Sequence, residues 1–462
     1  MSDKFDVVVI GGGTAGLVTA SGCARLGRRV ALIEREALGG DCLWTGCVPT
    51  KALIASARLA DHMRHADRWG LDAVDPKILP KRIMDSMRET QRVAGKHDDP
   101  EKFRKLGIEV IEGSARLAGN RVVEVAGRRL EAKDIVIATG SRTAVPPIPG
   151  LTSFLDHVSL LKQDSFPRSI VILGGGPIGI EFAQMLRRFG VEVTVVEMAD
   201  EILSKEDPDV IRAVRNILRE EGVQVHSGWS AKSVSGDVVR IENSSGESRE
   251  IRAERIFVAS GRRGNTEDLG LDAAGVQTKS SYIIVNKYLE TTAPRVWACG
   301  DVHGGLQFTH VAAYEAVKLV RNMLFPGKSA VRYDDVPRAL YTDPEVASVG
   351  ITDAEGTVTY KVDMSDVDRA VVDRTTAGFI KIVCDRKGRI LGAHAMCPHA
   401  STLIEEIVVA RRKGMRIGEL AQRVSPYPSL ADGVQKAAAS YYQNLGTGWL
   451  GALARGVARW SQ

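Results

Sequence analysis

A short apolar run followed at once by glycines opens the chain. Val7–Ile10 are all apolar, and the turn Gly11-x-Gly13-x-x-Gly16 follows directly. A run of this length predicts a buried strand, and the glycines predict a tight turn into a helix. A second apolar strand is then expected to end at Glu34. This order of strand, turn, helix and strand is typical of parallel α/β structure.

The same pattern occurs again in the middle of the chain. Its landmarks are the apolar run Ile170–Leu173, the turn Gly174-x-Gly176-x-x-Gly179, a helix through Phe189 and a strand ending at Glu197. The interval from the first glycine to the acid is 23 residues in both copies. One glycine cluster is weak evidence, but a matched pair in this context predicts two dinucleotide-binding units.

Each part of this turn has a physical role. The first glycine permits the tight turn, the second lets a diphosphate approach the backbone, and the third lets helix and strand pack closely. The diphosphate then lies at a helix N-terminus. Glu34 and Glu197 are expected to accept hydrogen bonds from ribose hydroxyls, although each could simply end a strand at the surface. Glu197 favours NADH over NADPH, because Met198, Ala199 and Asp200 offer no cation for a 2′-phosphate.

Further apolar strands end in polar turns. Residues 135–141 contain Thr139 and Gly140, residues 256–266 contain Gly261, and Val296–Cys299 precede Asp301. Two dinucleotide units most simply bind FAD and NAD, with FAD at the first unit. Asp301 is then placed to reach the sugar-like chain of the flavin. The predicted cofactor-binding residues are Gly11, Gly13, Gly16, Glu34, Gly40, Thr139, Gly140, Asp301, Gly174, Gly176, Gly179, Glu197 and Gly261.

From Val331 onward the composition changes. Candidate strands at 346–350, 378–384 and 389–396 accompany helices near 400–413 and 429–443. This mixture predicts a third, α+β domain.

Composition narrows the class of protein. A length of 462 residues suggests about three domains, and 44% hydrophobic with 26% charged residues is ordinary for a globular enzyme. A net charge of +5, with both signs interspersed, does not favour a nucleic-acid partner. No apolar stretch approaches a membrane span, and the first residues run straight into a strand, so we expect no signal peptide and a cytoplasmic location.

Two cysteines supply the candidate chemistry. Cys42 and Cys47 lie in GGDCLWTGCVPTK, just after the first dinucleotide unit and at the expected start of a helix. A helix N-terminus favours a thiolate. Core cysteines or half a metal site are the alternatives. The other cysteines, Cys23, Cys299, Cys384 and Cys397, are scattered, so no zinc site and no other metal site is predicted.

The chain resembles the flavin-dependent pyridine nucleotide–disulfide oxidoreductases. GGDCLWTGCVPTKAL is similar to the GGTCxNxGCxPxK signature of dihydrolipoamide dehydrogenase, glutathione reductase and mercuric reductase. The resemblance implies an α/β chain with two Rossmann-like domains, for FAD and NAD, and a C-terminal α+β dimerisation domain. The implied segments are FAD-binding 1–148, NAD(P)-binding 149–266, FAD-binding 267–330, dimerisation 331–445 and a tail, 446–462.

The resemblance also assigns roles to single residues. Cys42 matches the outer, interchange thiol, and Cys47 matches the inner thiol that faces the flavin. Lys51 matches a lysine near the reactive nitrogen of the flavin, and Glu181 matches its salt-bridge partner. The implied assembly is a homodimer with an active site shared between subunits.

The chain departs from the family near its C-terminus. Members that handle dithiols carry HPTxxE, whose His is the acid–base partner of the interchange thiol; here Tyr427 and Asp432 occupy the His and Glu positions. A phenol, with a pKa of about 10, is a poor base at neutral pH. Tyrosine at this position resembles mercuric reductase, but the tail lacks the cysteine pair that delivers the metal. His310 and His399 are interpreted as structural.

These features predict an enzyme that passes electrons from NADH through FAD and the Cys42–Cys47 disulfide to an acceptor. The identity of the acceptor remains open: it could be a disulfide, a persulfide, a thiol-bound metal ion or a quinone-like compound. The alternatives are a dihydrolipoamide dehydrogenase and a catalytically weak, membrane-associated or binding scaffold. The tail could form an apolar helix face that would suit a membrane-associated scaffold. We instead expect this face to cover the dimerisation domain. Its residues are Trp449, Leu450, Leu453, Val457 and Trp460.

Overall fold

The computed structural model describes residues 3–119 and 121–447. Its strands are β1 (Asp3–Ile10), β2 (Val30–Glu34), β3 (Ile108–Glu112), β4 (Arg116–Leu117), β5 (Val122–Val125), β6 (Arg128–Ile137), β7 (Ser141–Thr143), β8 (Ser169–Leu173), β9 (Glu192–Glu197), β10 (Gln224–Ser227), β11 (Trp229–Ser235), β12 (Val238–Asn243), β13 (Ser248–Arg252), β14 (Arg255–Val258), β15 (Arg262–Gly264), β16 (Thr278–Lys279), β17 (Tyr282–Ile283), β18 (Val296–Ala298), β19 (Arg338–Leu340), β20 (Glu345–Gly350), β21 (Thr357–Asp363), β22 (Phe379–Asp385) and β23 (Ile390–Cys397).

The α-helices are α1 (Thr14–Arg25), α2 (Gly40–Trp44), α3 (Cys47–Arg64), α4 (Pro80–Gly95), α5 (Pro100–Lys105), α6 (His157–Leu160), α7 (Pro177–Arg188), α8 (Pro208–Glu220), α9 (Leu271–Ala274), α10 (Thr309–Leu324), α11 (Asp368–Val372), α12 (Ala400–Arg412), α13 (Ile417–Ala421) and α14 (Asp432–Thr447). Short 3-10 helices cover Ala66–Trp69, Asp301–His303 and Met364–Asp366.

The chain divides into two compact units. The first contains the described parts of Met1–Ser56, Leu79–Pro167 and Arg255–Arg332. The second contains the described parts of Ala57–Ile78, Arg168–Glu254 and Tyr333–Gln462.

A seven-stranded sheet forms the centre of the first unit. Its order is β3-β2-β1-β6-β5-β4, and β18 pairs with β6. The contacts among β1, β2, β3, β6 and β18 are parallel. Val8 and Ile10 enter one buried cluster, whereas Val7 and Val9 enter another with side chains of α1 and α10. The uninterrupted apolar run of β1 is therefore explained by burial on both faces of the sheet.

The second unit contains separate sheets. Strands β8, β9 and β10 are parallel, and β11, β12 and β13 form an antiparallel sheet. A five-stranded antiparallel sheet has the order β19-β20-β23-β22-β21. Side chains of β22, α12 and α14 share its buried cluster. The expected C-terminal strands and helices are thus confirmed, and the mixed α/β fold class with it. Helix α7 ends at Arg188, one residue before the expected Phe189, which caps it.

A buried lysine connects two parts of the second unit. Lys381, on β22, has a side chain only 4% exposed. Its ammonium lies 3.0 Å from Asp207 and 3.1 Å from Asp209, at the start of α8, and 2.7 Å from Asp353. Asp207 also caps α8 by accepting a hydrogen bond from the Asp209 backbone. The three carboxylates together raise the pKa of Lys381 against the opposing effect of burial.

Within the described residues, no helix is long and apolar enough to cross a membrane. The apolar face expected between Trp449 and Trp460 lies outside those residues.

Candidate active site

The first glycine turn joins β1 to α1. Gly11 has φ +107°, a conformation that side chains disfavour, and a Cβ on Gly16 would lie 1.8 Å from the Gly11 carbonyl oxygen. Only glycine therefore allows this approach of helix and strand. Gly13 precedes the helix, and the nearest atom to a Cβ there would be the Gly40 Cα at 3.9 Å. The turn thus leaves an open cradle in front of the helix N-terminus.

The second glycine turn, between β8 and α7, repeats this geometry. Gly174 has φ +118°, and a Cβ on Gly179 would lie 2.0 Å from the Gly174 carbonyl oxygen. A Cβ on Gly176 would meet no atom within 4 Å. Both turns therefore combine a forced glycine contact with open space at a helix N-terminus, which suits a diphosphate.

The two acids at the strand ends are held in the same way. Glu34 accepts hydrogen bonds from the backbone of Gly12 at 2.6 Å and of Glu36 at 2.8 Å. Glu197 accepts from the backbone of Gly175 at 2.6 Å and of Ala199 at 2.7 Å. A carboxylate can accept about four hydrogen bonds, so each acid keeps capacity for a ribose hydroxyl. The residues of both turns fit dinucleotides.

Asp301, the acid expected near the flavin chain, has two polar neighbours, Ser141 and Arg262. Asp301 accepts a hydrogen bond from the Ser141 hydroxyl at 2.7 Å, and the Arg262 Nε lies 3.6 Å away. Burial raises the pKa of Asp301, although Arg262 opposes the shift.

The turns after β6 and β15 are joined to each other. The Thr139 hydroxyl donates to the Asn265 carbonyl at 2.7 Å, and the Asn265 amide donates to the Thr139 carbonyl at 2.9 Å. The Asn265 backbone also donates to the Gly140 carbonyl at 3.0 Å. Thr139, Gly140 and the residues after Gly261 therefore lie together, although they are more than a hundred positions apart in sequence.

The cysteine pair occupies two consecutive helices. Cys42 lies in α2, and Cys47 is the first residue of α3. The structure holds both as free thiols, and their disulfide stays a prediction. The Cys47 sulfur lies 3.2 Å from the hydroxyl of Thr309, the first residue of α10.

The two thiols differ in acidity. The hydrogen bond from Cys42, the hydroxyl of Thr309 and the charge of Lys51 lower the pKa of Cys47 to about 6, against the effect of burial. The same hydrogen bond, together with burial, raises the pKa of Cys42. The two shifts favour a thiolate on Cys47 rather than on Cys42, and Cys47 is the thiol expected to face the flavin.

Glu181, in α7, is buried at 7% exposure, and its carboxylate accepts a hydrogen bond from the Tyr341 backbone at 2.8 Å. Its pairing with Lys51 stays a prediction.

Tyr427 and Asp432 each contact a charged side chain, Asp368 and Lys436 respectively. The Tyr427 side chain is 73% exposed, and its hydroxyl donates to the Asp368 carboxylate at 3.0 Å. That bond raises the pKa of Tyr427 above its ordinary value. Asp432 pairs with Lys436 at 3.2 Å. The phenol therefore stays protonated across the neutral range and acts as a hydrogen-bond donor.

Sequence reasoning missed part of the thiol site. Thr309 immediately precedes His310, whose ring stacks on that of Phe308 with ring centres 5.3 Å apart. Asp41, which precedes Cys42 in sequence, also contacts Arg262 and His157. No cluster of three or more metal-ligating side chains is present among the described residues.

Comparison with known proteins decides the family. A model described as "Pyridine nucleotide-disulphide oxidoreductase" matches residues 5–316, and the dimerisation domain of that family matches residues 336–438. The chain belongs to the pyridine nucleotide–disulphide oxidoreductase family. Its members are FAD-dependent enzymes that use NAD(P)H, and the second match shows that the C-terminal part is a dimerisation domain. The predicted family and enzyme class are thereby confirmed.

Several relatives match along nearly the whole chain. Dihydrolipoyl dehydrogenase of Bacillus subtilis is 34% identical, covering 95% of this chain and 98% of that protein. Mercuric reductase of Streptomyces lividans is 32% identical, covering 96% and 97%. The Cu(II) complex of the HOCl-induced flavoprotein disulfide reductase RclA of Escherichia coli superposes with a TM-score of 0.84 and 29% identity, covering 95% and 99%.

The Thr309 hydroxyl is expected to stabilise the Cys47 thiolate. Thr309→Val should raise the pKa of Cys47 by about one unit, since a hydrogen bond to a charged group contributes roughly 1.5–3 kcal/mol in favourable cases. The thiolate would then be lost as the pH falls through about 7 rather than about 6. The rate of Cys47 alkylation in the chemically reduced protein, followed against pH, measures this shift. Thr309→Ser keeps the hydroxyl and should behave as wild type; equal curves for the valine variant would contradict the assignment.

Proposed function

We propose that this protein is an NADH-dependent flavoprotein reductase whose Cys42–Cys47 pair transfers two electrons to an acceptor. That acceptor reacts with, or is bound by, a cysteine sulfur. The observation that carries the proposal is the asymmetry of the dithiol. Cys47, with a pKa lowered to about 6, holds the negative charge beside Thr309, while Cys42 remains a thiol available to the acceptor. A disulfide, a persulfide and a thiol-bound metal ion share this requirement.

FAD, when bound, would accept a hydride from the nicotinamide and supply the electron pair that opens the disulfide. The Gly11–Gly16 turn and Glu34 would hold its adenosine diphosphate part, and Asp301 its sugar-like chain. Cys47 would face the flavin, and Lys51 would lie near it. The residues of the chain then have three tasks: to bind the cofactor, to keep Cys47 deprotonated and to present Cys42.

Tyr427 favours reduction of an acceptor over oxidation of a dithiol substrate. Oxidation of a dithiol requires a base that removes a proton from the substrate thiol. The Tyr427 hydroxyl donates to Asp368, and its pKa is raised, so it is not a base at neutral pH. We propose a homodimer in which Tyr427 faces the thiol site of the partner subunit.

Dihydrolipoamide dehydrogenase is the second candidate. The 34% identity to the Bacillus subtilis dihydrolipoyl dehydrogenase, over nearly the whole of both chains, favours it. Identities of 32% to mercuric reductases are of the same size, so overall similarity does not separate the two functions.

Glu197 supports NADH as the electron donor. Its carboxylate is fixed by two backbone groups at the end of β9, and the next side chain, Met198, is 76% exposed and uncharged. A 2′-phosphate at this place would meet a fixed negative charge. We also propose a cytoplasmic setting, where thiols are kept reduced.

The acceptor is tested by comparing wild type with Cys42→Ser. Wild type should oxidise NADH when the acceptor is a disulfide, a persulfide or a mercuric or cupric thiolate. In the variant the rate of NADH oxidation with these acceptors should fall to the rate without enzyme, because the interchange sulfur is gone. Reduction of a quinone, which takes electrons from the flavin itself, should survive in the variant and serves as the internal control. Loss of quinone reduction alone, with disulfide and metal reduction intact, would contradict the proposal.

The role of Tyr427 is tested with dihydrolipoamide. Wild type should oxidise it slowly, and the double variant Tyr427→His with Asp432→Glu should gain activity. General acid–base catalysis raises a rate by about a hundred- to ten-thousand-fold. Only part of this gain in rate is expected in the double variant, because the surrounding residues are arranged around a phenol and not an imidazole. Tyr427→Phe is the matched control and should remain as slow as wild type. Rapid dihydrolipoamide oxidation by wild type would make the second candidate the leading function.

The nicotinamide preference is tested by kcat/KM for the two donors. The kcat/KM for NADH should exceed that for NADPH by about ten- to a hundredfold, which is the effect of one hydrogen bond to a charged group. Glu197→Gln removes the charge and should narrow this ratio. Glu192→Gln, an exposed change at the other end of β9, should leave it unchanged. A wild-type preference for NADPH would overturn the assignment.

A further inference from the structure

Two neighbouring loops of the second unit carry a concentration of positive charge. One is the turn between β22 and β23, residues 385–389, and the other, residues 411–419, includes the end of α12 and the start of α13. Together they contain seven basic and two acidic side chains, which gives a net charge of +5. The whole chain has this same net charge, so the remainder of the chain is neutral in sum.

Backbone contacts hold the two loops side by side. Arg389 pairs with Arg416 in an isolated antiparallel bridge, and the residue after Arg416 donates its amide proton to the Gly388 carbonyl at 2.9 Å. Asp385 shapes the first loop by accepting hydrogen bonds from the backbone of Lys387 at 2.9 Å and of Arg389 at 2.8 Å. The cations of both loops therefore belong to one surface.

Six of the seven basic side chains are exposed, and none of the six forms an ion pair with another described residue. Arg411, the seventh, is half-buried and pairs with Asp335. The second acid, Glu419, accepts a hydrogen bond from the Arg416 backbone at 2.7 Å. Cations that are not neutralised within the chain are available to an anionic partner. We call these six side chains the basic surface: Arg386, Lys387, Arg389, Arg412, Lys413 and Arg416.

Helix α14 ends beside the basic surface. A Cβ on Gly388, in the first loop, would lie 3.4 Å from the Tyr441 ring. The Tyr442 hydroxyl donates to the Gly418 carbonyl, in the second loop, at 3.0 Å. From Tyr442 the helix continues to Thr447, which is about 7.5 Å along its axis. The chain therefore leaves α14 within reach of the basic surface.

The residues that follow α14 have a composition suited to a lipid surface. Residues 448–462 contain two tryptophans, two arginines and no acidic residue. Tryptophan is enriched at membrane interfaces, and arginine is attracted to anionic headgroups. From the sequence alone we expect the apolar residues of this tail to cover the dimerisation domain. The surface beside which the tail begins is charged rather than apolar, and this favours lipid as the partner.

We propose that the basic surface and the C-terminal tail together dock this protein on the surface of an anionic lipid bilayer, without crossing it. Each lysine or arginine near such a surface strengthens binding by about fivefold. The tryptophans of the tail add an apolar contribution, and stable attachment to a bilayer takes two signals of this kind. A nucleic acid would use the cations but would leave the apolar tail without a partner.

Sedimentation of the full-length, FAD-containing protein with lipid vesicles tests the proposal. Wild type should bind vesicles of equal parts phosphatidylglycerol and phosphatidylcholine, and should stay in solution with phosphatidylcholine alone. Added salt should weaken the binding, because it screens exposed charges. Removing four charges of the basic surface should weaken it by more than about a hundredfold, at about fivefold for each charge. The four changes are Lys387→Gln, Arg389→Gln, Arg412→Gln and Lys413→Gln.

The matched control removes four exposed cations from the first unit and leaves the basic surface intact. It has the same net charge as the variant above and should bind vesicles as wild type does, with FAD retained by absorbance in both. Its changes are Arg25→Gln, Arg28→Gln, Lys102→Gln and Lys279→Gln.

The contribution of the tail is tested by Trp449→Ser combined with Trp460→Ser. Binding should fall by about tenfold or more for each ring, since burial of a large apolar side chain contributes at least that factor. Wild type that ignores anionic vesicles, equal losses in the two four-residue variants, or unchanged binding in the tryptophan variant would each overturn the proposal. So would binding to a DNA duplex as tight as binding to the vesicles. No NADH or acceptor is present, so the result is independent of the proposed redox function.

Discussion

The contact between Gly16 and the carbonyl oxygen of Gly11 governs the geometry of the first candidate nucleotide site. At 1.8 Å from that oxygen there is no room for a Cβ, so helix α1 comes as near to strand β1 as the backbone allows. The helix N-terminus consequently faces the open cradle, and Glu34 reaches the turn to bind the Gly12 amide. Gly174 and Gly179 impose the same arrangement in the second unit. The two candidate dinucleotide sites therefore depend on the same backbone constraint.

The thiol site depends on a different kind of interaction, namely the sum of charges around two sulfur atoms. The bond from Cys42, the Thr309 hydroxyl and the Lys51 charge favour a thiolate on Cys47, whereas that same bond and burial favour a thiol on Cys42. The surroundings therefore distinguish two chemically identical side chains, which suits the different roles proposed for them.

The sequence predicts those features whose determinants are local. Both glycine turns, the acids that end β2 and β9, and the start of α3 at Cys47 depend on residues within about 25 positions of each other, and the C-terminal strands have clear apolar runs. The partners of the thiol site are distant. Thr309 is 262 positions from Cys47, and Arg262 and His157 are 221 and 116 positions from Asp41. Only tertiary packing brings them together, and a lone threonine or arginine carries no pattern that would reveal it.

Lys381 has a consequence for the order in which the second unit is assembled. The ammonium that compensates Asp207 belongs to a strand 174 positions further along the chain. At a synthesis rate of about 5–20 residues per second, roughly 9–35 s separate the emergence of the two residues from the ribosome. During that interval the start of α8 carries carboxylates without their cation, and burying an uncompensated charge is strongly unfavourable. The start of α8 is therefore expected to complete its packing only after the C-terminal strands have left the ribosome.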